Sequence, residues 1–218
     1  GFMVMRMKDG KSYALDYRET APAKATRDMY LDAKGEPTDK SVYGHLSAGV
    51  PGAVAGMLEA HRRFGKLSLA KVINPAISLA AQGYLIDDYR SRSYRSAIDR
   101  LKQYDGSAKV FLVDGKEPQA GTIFKQPDLA RTLTAIRDHG RDGFYKGWVA
   151  KAIVDEMGRG GGIISLDDLA GYQAKWREPI KIDYRGFTIW SMPPASSGGV
   201  TLAMILNIME GYQPLPAF

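Results

Sequence analysis

At 218 residues, with 44% hydrophobic and 25% charged side chains, the chain carries enough apolar surface for one large core or two small ones, so disorder is not the default reading. The lack of cysteine excludes disulfides, thiolate metal sites and a cysteine nucleophile together. The net charge of +6 comes from lysines and arginines scattered among acids, as in Asp87-Asp88-Tyr89-Arg90-Ser91-Arg92, with no aromatic-interleaved basic face, so no nucleic-acid partner is expected.

The run Phe2–Tyr17 predicts a hairpin folded on Asp9-Gly10, a pair suited to the positive φ values of a type I′ turn. Gly1 leads straight into the first strand, so the chain is expected to open within an element. Gly49-Val-Pro-Gly-Ala leads into a helix with Val54, Met57, Leu58 and His61 on one face and Gly65 as its stop. Ser68 is expected to cap a second helix with Leu69, Val72, Ile73, Ala76 and Leu79 inward, kinked or split at Pro75. Residues 87–109 read as helical, and Lys109-Val-Phe-Leu-Val113 reads as a short strand entering an Asp114-Gly115 turn. A helix from Asp128 sends Leu129, Leu133 and Ile136 inward and stops at Gly140. Another from Phe144 carries Val149, Ile153 and Met157 and stops at the Gly158–Gly162 cluster. Ser165-Leu-Asp-Asp168 is a capping-box variant.

Ile180, Ile182 and Tyr184 alternate ahead of Arg185-Gly186, and Phe187–Trp190 return as a second strand. A final helix over Val200–Met209 is apolar on nearly every face, as expected of a helix covered on several sides. If its neighbours lie outside this chain, the chain alone should expose an apolar patch of more than roughly a few hundred Å² and self-associate. Helices flanked by hairpins at both ends give an α+β or layered αββα class, with no internal repeat. No apolar run approaches the roughly 20 residues that cross a bilayer, and no basic region precedes an apolar one at the N-terminus. The chain therefore reads as soluble, without a membrane partner, and with any signal peptide lying outside it.

Met192-Pro-Pro-Ala-Ser-Ser-Gly-Gly-Val is the most enzyme-like string. The paired prolines fix an extended approach, the glycines permit close backbone, and the following helix aims its first amides at the turn. Ser196-Ser197 matches neither Gly-x-Ser-x-Gly nor Ser-x-x-Lys, and no Gly-Lys-Ser/Thr end makes it a P-loop. It reads foremost as a helix entry, with a contact at a ligand's edge or a nucleophile as the other readings. Arg18, in Leu15-Asp-Tyr-Arg-Glu-Thr-Ala-Pro22, can grip a carboxylate in two-pronged fashion or serve a surface ion pair with Asp16 or Glu19. His61 reads as a core-edge residue and His139 as a helix C-terminal imidazole. His45 has no partner at metal-ligand spacing, so no metal is expected. Gly158–Gly162 reads as a helix-to-helix turn, and the pairs Asp87-Asp88 and Asp167-Asp168 as caps and solvated faces.

Taken in order, Ala14-Leu-Asp-Tyr-Arg-Glu-Thr-Ala-Pro22 with Arg27-Asp-Met-Tyr30, Gly49-Val-Pro-Gly-Ala-Val-Ala-Gly56, Gly143-Phe-Tyr-Lys-Gly147, Asp167-Asp-Leu-Ala-Gly-Tyr172 and Met192-Pro-Pro-Ala-Ser-Ser-Gly-Gly199 resemble the large subunit of the γ-glutamyltranspeptidases, a family of N-terminal-nucleophile hydrolases. The resemblance spans essentially the whole chain and implies part of a four-layer αββα sandwich, a single partial domain over residues 1–218. It implies a precursor that cuts itself and a small subunit whose N-terminal threonine attacks γ-glutamyl amides, usually glutathione, with its own amino group as base. The γ-glutamyl group then passes to water, amino acids or peptides, without cofactor. Arg18 matches the arginine that holds the α-carboxylate of the γ-glutamyl group. The Ser-Ser-Gly-Gly turn matches a structural motif of that subunit, with Ala195 in place of a third proline. No residue here matches the processing threonine, since Thr20 and Thr201 sit in motifs with other roles. The catalytic residue is thus expected outside this chain, which alone should bind γ-glutamyl compounds weakly and hydrolyse none. Bacterial members of the family are typically periplasmic or secreted, and the resemblance implies the same compartment here. A glutaryl or cephalosporin acylase of the same architecture, and a non-catalytic scaffold member, are the competing readings.

Overall fold

The structure, a computed structural model, describes residues 1–212. In chain order it contains β1 (Phe2–Arg6), β2 (Ser12–Asp16), α1 (Ala53–Phe64), α2 (Leu69–Gln82), β3 (Tyr84–Leu85), α3 (Asp88–Lys102), α4 (Asp105–Phe111), β4 (Ile123–Phe124) and α5 (Pro127–His139). There follow α6 (Asp142–Tyr145), α7 (Gly147–Gly160), α8 (Leu166–Gly171), β5 (Lys175–Arg177), β6 (Ile180–Tyr184), β7 (Phe187–Ser191) and α9 (Gly198–Glu210). The class is α+β, with every strand pair antiparallel. The chain forms two compact units, Gly1–Gly65 with Tyr145–Phe218, and Lys66–Phe144.

In the first unit β1, β2 and β5 form one sheet in that order. The predicted N-terminal hairpin is present, but its turn is not type I′. Only Gly10 has positive φ (83°), and the Gly10 amide donates to the Met7 carbonyl while Met7 donates to Lys11, so the turn is one residue longer than Asp-Gly alone requires. Ala14 and Leu15 of β2 are fully buried, and α1 lies against them. Helix α1 has the predicted extent, yet it buries Ala55 and Gly56 and leaves Met57 exposed. A Cβ on Gly56 would lie 2.2 Å from the Tyr17 ring, so the side that faces the sheet is the one with the smallest side chains. Beneath it the buried Tyr145 hydroxyl donates to the Pro51 carbonyl (2.7 Å) and accepts the Ala55 amide (3.2 Å). Its ring stacks on Tyr172 at 5.9 Å.

At the far end of α1, Glu59 accepts from Arg62 and from the Trp176 indole, each at 2.8 Å. Arg62 first and Trp176 second bring its carboxyl from the ordinary 4.5 to about 2. A carboxyl lowered in this way stabilises the fold above its unfolded pKa, and the gain is lost as pH falls from about 4.5 towards about 2. The melting temperatures of parent and Glu59→Gln should therefore differ at neutral pH and converge across that window. A gap that stays constant would contradict this coupling.

The capping box holds: Ser165 Oγ accepts the Asp168 amide, and the Asp168 carboxylate accepts the Ser165 amide at 2.9 Å. The β6–β7 hairpin turns on Arg185 (φ 48°) and Gly186 (φ 83°), as the sequence predicts. Arg185 Nη2 then donates to the Met209 and Tyr212 carbonyls and closes the C-terminal end of α9. Helix α9 rests on β6, while Met204, Ile205 and Ile208 are more than half exposed, so the apolar side expected of this helix is bare.

In the second unit α2 packs along α5. Pro75 does not split α2, and the inward side is not the predicted one: Ala80 is buried, whereas Val72 and Leu79 are exposed. Helix α2 is apolar over more than one face, so periodicity alone cannot choose the side that α5 covers. On α5 itself Ala130 and Ile136 are buried and Leu129 is exposed. The predicted strand at 109–113 is mostly helix α4, a correction that follows from packing: Phe111 joins Tyr94 and Phe124 in an aromatic cluster, each 6.1 Å away. The type I′ geometry appears just after it, with Asp114 at φ 49° and Gly115 at φ 73° between mutually hydrogen-bonded Val113 and Lys116. The predicted helix from Phe144 is interrupted, because α6 ends at Tyr145 and α7 begins at Gly147, whose φ is 63°.

Candidate functional site

Past the end of β2 the chain runs Tyr17-Arg18-Glu19-Thr20, and this short strap is fixed on three sides. Thr20 and Val50 exchange both backbone hydrogen bonds, at 3.3 and 2.9 Å. The Arg18 amide donates to Asp16 Oδ1 at 3.0 Å, and the Arg18 carbonyl accepts from the Tyr172 hydroxyl at 2.8 Å. Asp16 Oδ2 in turn accepts from Arg177 Nε (2.9 Å) and Nη2 (2.8 Å), because β5 pairs with β2 and places Arg177 opposite Ala14. Asp16 is 8% exposed. Burial works to raise its carboxyl, but the Arg18 amide and the Arg177 guanidinium outweigh that and hold it below the ordinary carboxylate value.

From this frame the Arg18 side chain, half exposed, donates Nη1 to the Ala195 carbonyl at 3.1 Å and Nε to Glu19 Oε1 at 3.2 Å. It borders a cavity of about 200 Å³, which is also lined by Glu19, Thr20, Gln173, Lys175 and Arg177. A second cavity of about 410 Å³ shares Thr20, Tyr172, Gln173 and Lys175 with it and extends past Val50 and Asp168. Among the described residues Lys175 makes no ion pair. Arg177 is committed to Asp16, so the smaller space presents the Arg18 guanidinium and Lys175, with Glu19 beside Arg18, and this suits a compact ligand bearing a carboxylate.

The Ser196-Ser197 turn is a helix entry, as its foremost reading has it. Ser196 Oγ accepts the Gly198 amide (3.3 Å), while Ser197 makes no side-chain cap and its carbonyl accepts the Thr201 amide as the first backbone bond of α9. Among the described residues neither serine is hydrogen-bonded to a histidine, lysine or carboxylate. The loop nevertheless touches the site through the Ala195 carbonyl. Asp87 caps α3 through the Arg90 amide (2.7 Å), and Asp168 also accepts the Ala23 amide (2.8 Å). His45 Nε2 lies 2.8 Å from Glu156 Oε1, and Glu156 is also paired with Arg159. Gly160 lies so close to the His45 ring that no side chain would fit there. The Gly158–Gly162 cluster is therefore the end of α7, packed on that ring, with Gly161 as its left-handed cap. His61 sits half-buried in α1, and His139 is the exposed last residue of α5.

The gamma-glutamyltranspeptidase family model matches residues 1–217. The chain belongs to the gamma-glutamyltranspeptidase family. It is 44% identical over 216 residues to the glutathione hydrolase proenzyme of Escherichia coli K12, covering 97% of this chain and 37% of that protein. The crystal structure of Helicobacter pylori gamma-glutamyltranspeptidase superimposes with a TM-score of 0.96 at 44% identity, over 98% of this chain and 62% of that one. Acylase ACY 1 proenzyme of Pseudomonas sp. SE83 is 40% identical over 219 residues, 97% of this chain and 39% of that protein. The chain thus spans a little over a third of the length of these curated relatives.

Within this transpeptidase-family chain, the residues that sequence reasoning missed are those framing Arg18: Asp16 as a buried carboxylate, Tyr172, Arg177, Lys175 and the Ala195 carbonyl. Their chain separations from the strap, 154 residues for Tyr172 to Arg18 and 161 for Arg177 to Asp16, leave no periodic signal. The one available sign was Trp176 and Arg177 between Tyr172 and the β6 hairpin, an alternation too short to read as a strand.

Proposed function

We propose that this chain is the large-subunit portion of a γ-glutamyltransferase, or glutathione hydrolase, and that Arg18 holds the α-carboxylate of the γ-glutamyl group. The observation that carries the reading is the Arg18 guanidinium at the border of a small cavity, presented from a hydrogen-bonded frame in a chain of this family. The nucleophile in this reading is the N-terminal threonine of a small subunit released when the precursor cuts itself. Its attack on the γ-glutamyl amide forms an acyl-enzyme and expels the amine, and water or an amino acid then takes the acyl group. Arg18 fixes the donor so that its amide carbonyl meets that threonine. In this reading the full protein works in the periplasm or outside a bacterial cell, and the 218-residue segment alone is inactive.

A second reading, a glutaryl or cephalosporin acylase, is supported by the similarity to acylase ACY 1. The deciding experiment offers the full-length, self-cleaved protein a γ-glutamyl anilide and its glutaryl analogue, which lacks the α-amino group. Release from the γ-glutamyl anilide supports the transferase, and release from the glutaryl compound alone supports the acylase.

A further inference from the structure

We infer that Tyr172, together with the Asp16–Arg177 pair, is a positioning element for Arg18, setting the backbone from which the guanidinium reaches the cavity. The inference rests on the reading of Arg18 as the carboxylate-holding residue. Neither group needs to touch the donor. The Tyr172 hydroxyl takes the Arg18 carbonyl at 2.8 Å, and Asp16 takes the Arg18 amide at 3.0 Å, so both polar atoms of that one peptide position are held by side chains rather than by a sheet partner. Each holder is itself braced. Tyr172 is buried and stacked at 5° on Tyr145, whose hydroxyl is anchored to Pro51. Asp16 is gripped twice by Arg177.

The packing around the Tyr172 hydroxyl is tight. A Cβ on Gly52 would fall 2.1 Å from the Tyr172 hydroxyl oxygen and 2.2 Å from the Tyr17 carbonyl, so the start of α1 closes on the hydroxyl with no slack. Burial first, with Tyr145, Asp16 and Glu19 adding to it, pushes the Tyr172 phenol to about 12, and at neutral pH it is a donor. Without these holders the strap keeps its backbone pairings on either side, Tyr17 with Gly1 and Thr20 with Val50, but the Arg18 peptide position between them is unheld, and the guanidinium samples positions away from the cavity. A carboxylate bound through Arg18 then pays for re-ordering the arginine on each encounter.

The test is a double-mutant cycle in the full-length, self-cleaved protein with a γ-glutamyl anilide as donor. Tyr172→Phe removes one hydroxyl and keeps the ring on Tyr145. It should raise KM roughly threefold to tenfold with little change in kcat, and add nothing once Arg18→Ala is already present. Arg177→Lys, which keeps a charge beside Asp16 but loses the paired hydrogen bonds, should show the same dependence on Arg18. An equal loss from Tyr172→Phe in both backgrounds, or an unchanged KM with Arg18 present, overturns the inference while leaving the Arg18 reading intact. An Arg18→Ala variant with parental KM overturns both.

Discussion

Arg18→Ala is expected to lower kcat/KM for a γ-glutamyl donor by about 2–3 kcal/mol, roughly 30- to 150-fold, the usual cost of leaving a bound carboxylate without its charged hydrogen-bond partner. The size of the effect follows from what remains in the cavity. Glu19 stays beside the empty place, and its carboxyl is held below the ordinary value by its own backbone amide and by Arg18, so a donor carboxylate would face an uncompensated negative charge. Lys175 is a point charge on a flexible stem and cannot reproduce a planar fork that is already bonded to Ala195. Arg18→Lys should therefore recover only part of the loss. Stability should barely change, because the side chain is half exposed and its ion pair with Glu19 lies in solvent. If kcat/KM for γ-glutamyl donors stays within about twofold of the parent, the guanidinium does not hold the donor.

How much of this was legible in the sequence is clearest where one signal had two outcomes. Asp9-Gly10 and Asp114-Gly115 are the same dipeptide, yet only the second makes a type I′ turn. At the first, the strands are joined through Met7 to Lys11 and the aspartate keeps negative φ. Local chemistry therefore named a turn, and the strand register chose its kind. Capping at Ser68, Asp87 and Ser165 was legible because each cap needs only a side-chain oxygen and an amide a turn away. Buried faces were less so, since α1 and α2 turn small residues inward while Met57, Val72 and Leu79 stay outside.

At the site, the residues by themselves left Arg18 between a carboxylate grip and an ion pair with Asp16 or Glu19. The structure gives the pair to Glu19 and assigns Asp16 to Arg177. That assignment depends on β5 pairing with β2 across the length of the first unit, which no local pattern announces. The Ser-Ser-Gly-Gly turn was correctly read as a way into α9, but its part in the site belongs to a backbone carbonyl, an atom every residue has.

Gly52→Ala is expected to destabilise the full-length protein by about 3 kcal/mol, at the upper end of what overpacking costs. The added methyl would meet the Tyr172 hydroxyl oxygen at 2.1 Å and the Tyr17 carbonyl at 2.2 Å, and neither can retreat cheaply. Tyr17 O accepts from the Gly1 nitrogen, and the Tyr17 amide donates back to the Gly1 carbonyl. Tyr172 is held by its stack on Tyr145 and its bond to Arg18. Relief must come from sliding the start of α1 off the strap, which strains the Thr20–Val50 pairing, or from pushing Tyr172 away from Arg18. Either route also loosens the arginine, so KM for a γ-glutamyl donor should rise in whatever fraction still folds.

Gly171→Ala separates this packing clash from the general effect of losing a glycine. Gly171 ends α8 with nothing within 4 Å of its would-be Cβ, so alanine there should be neutral or stabilising by up to about 1 kcal/mol. Denaturant midpoints that move in opposite directions for the two variants would place the cost of the first in the contact with Tyr172 and Tyr17. A Gly52→Ala protein as stable as its parent would mean that α1 and the strap are not pressed together as the structure has them.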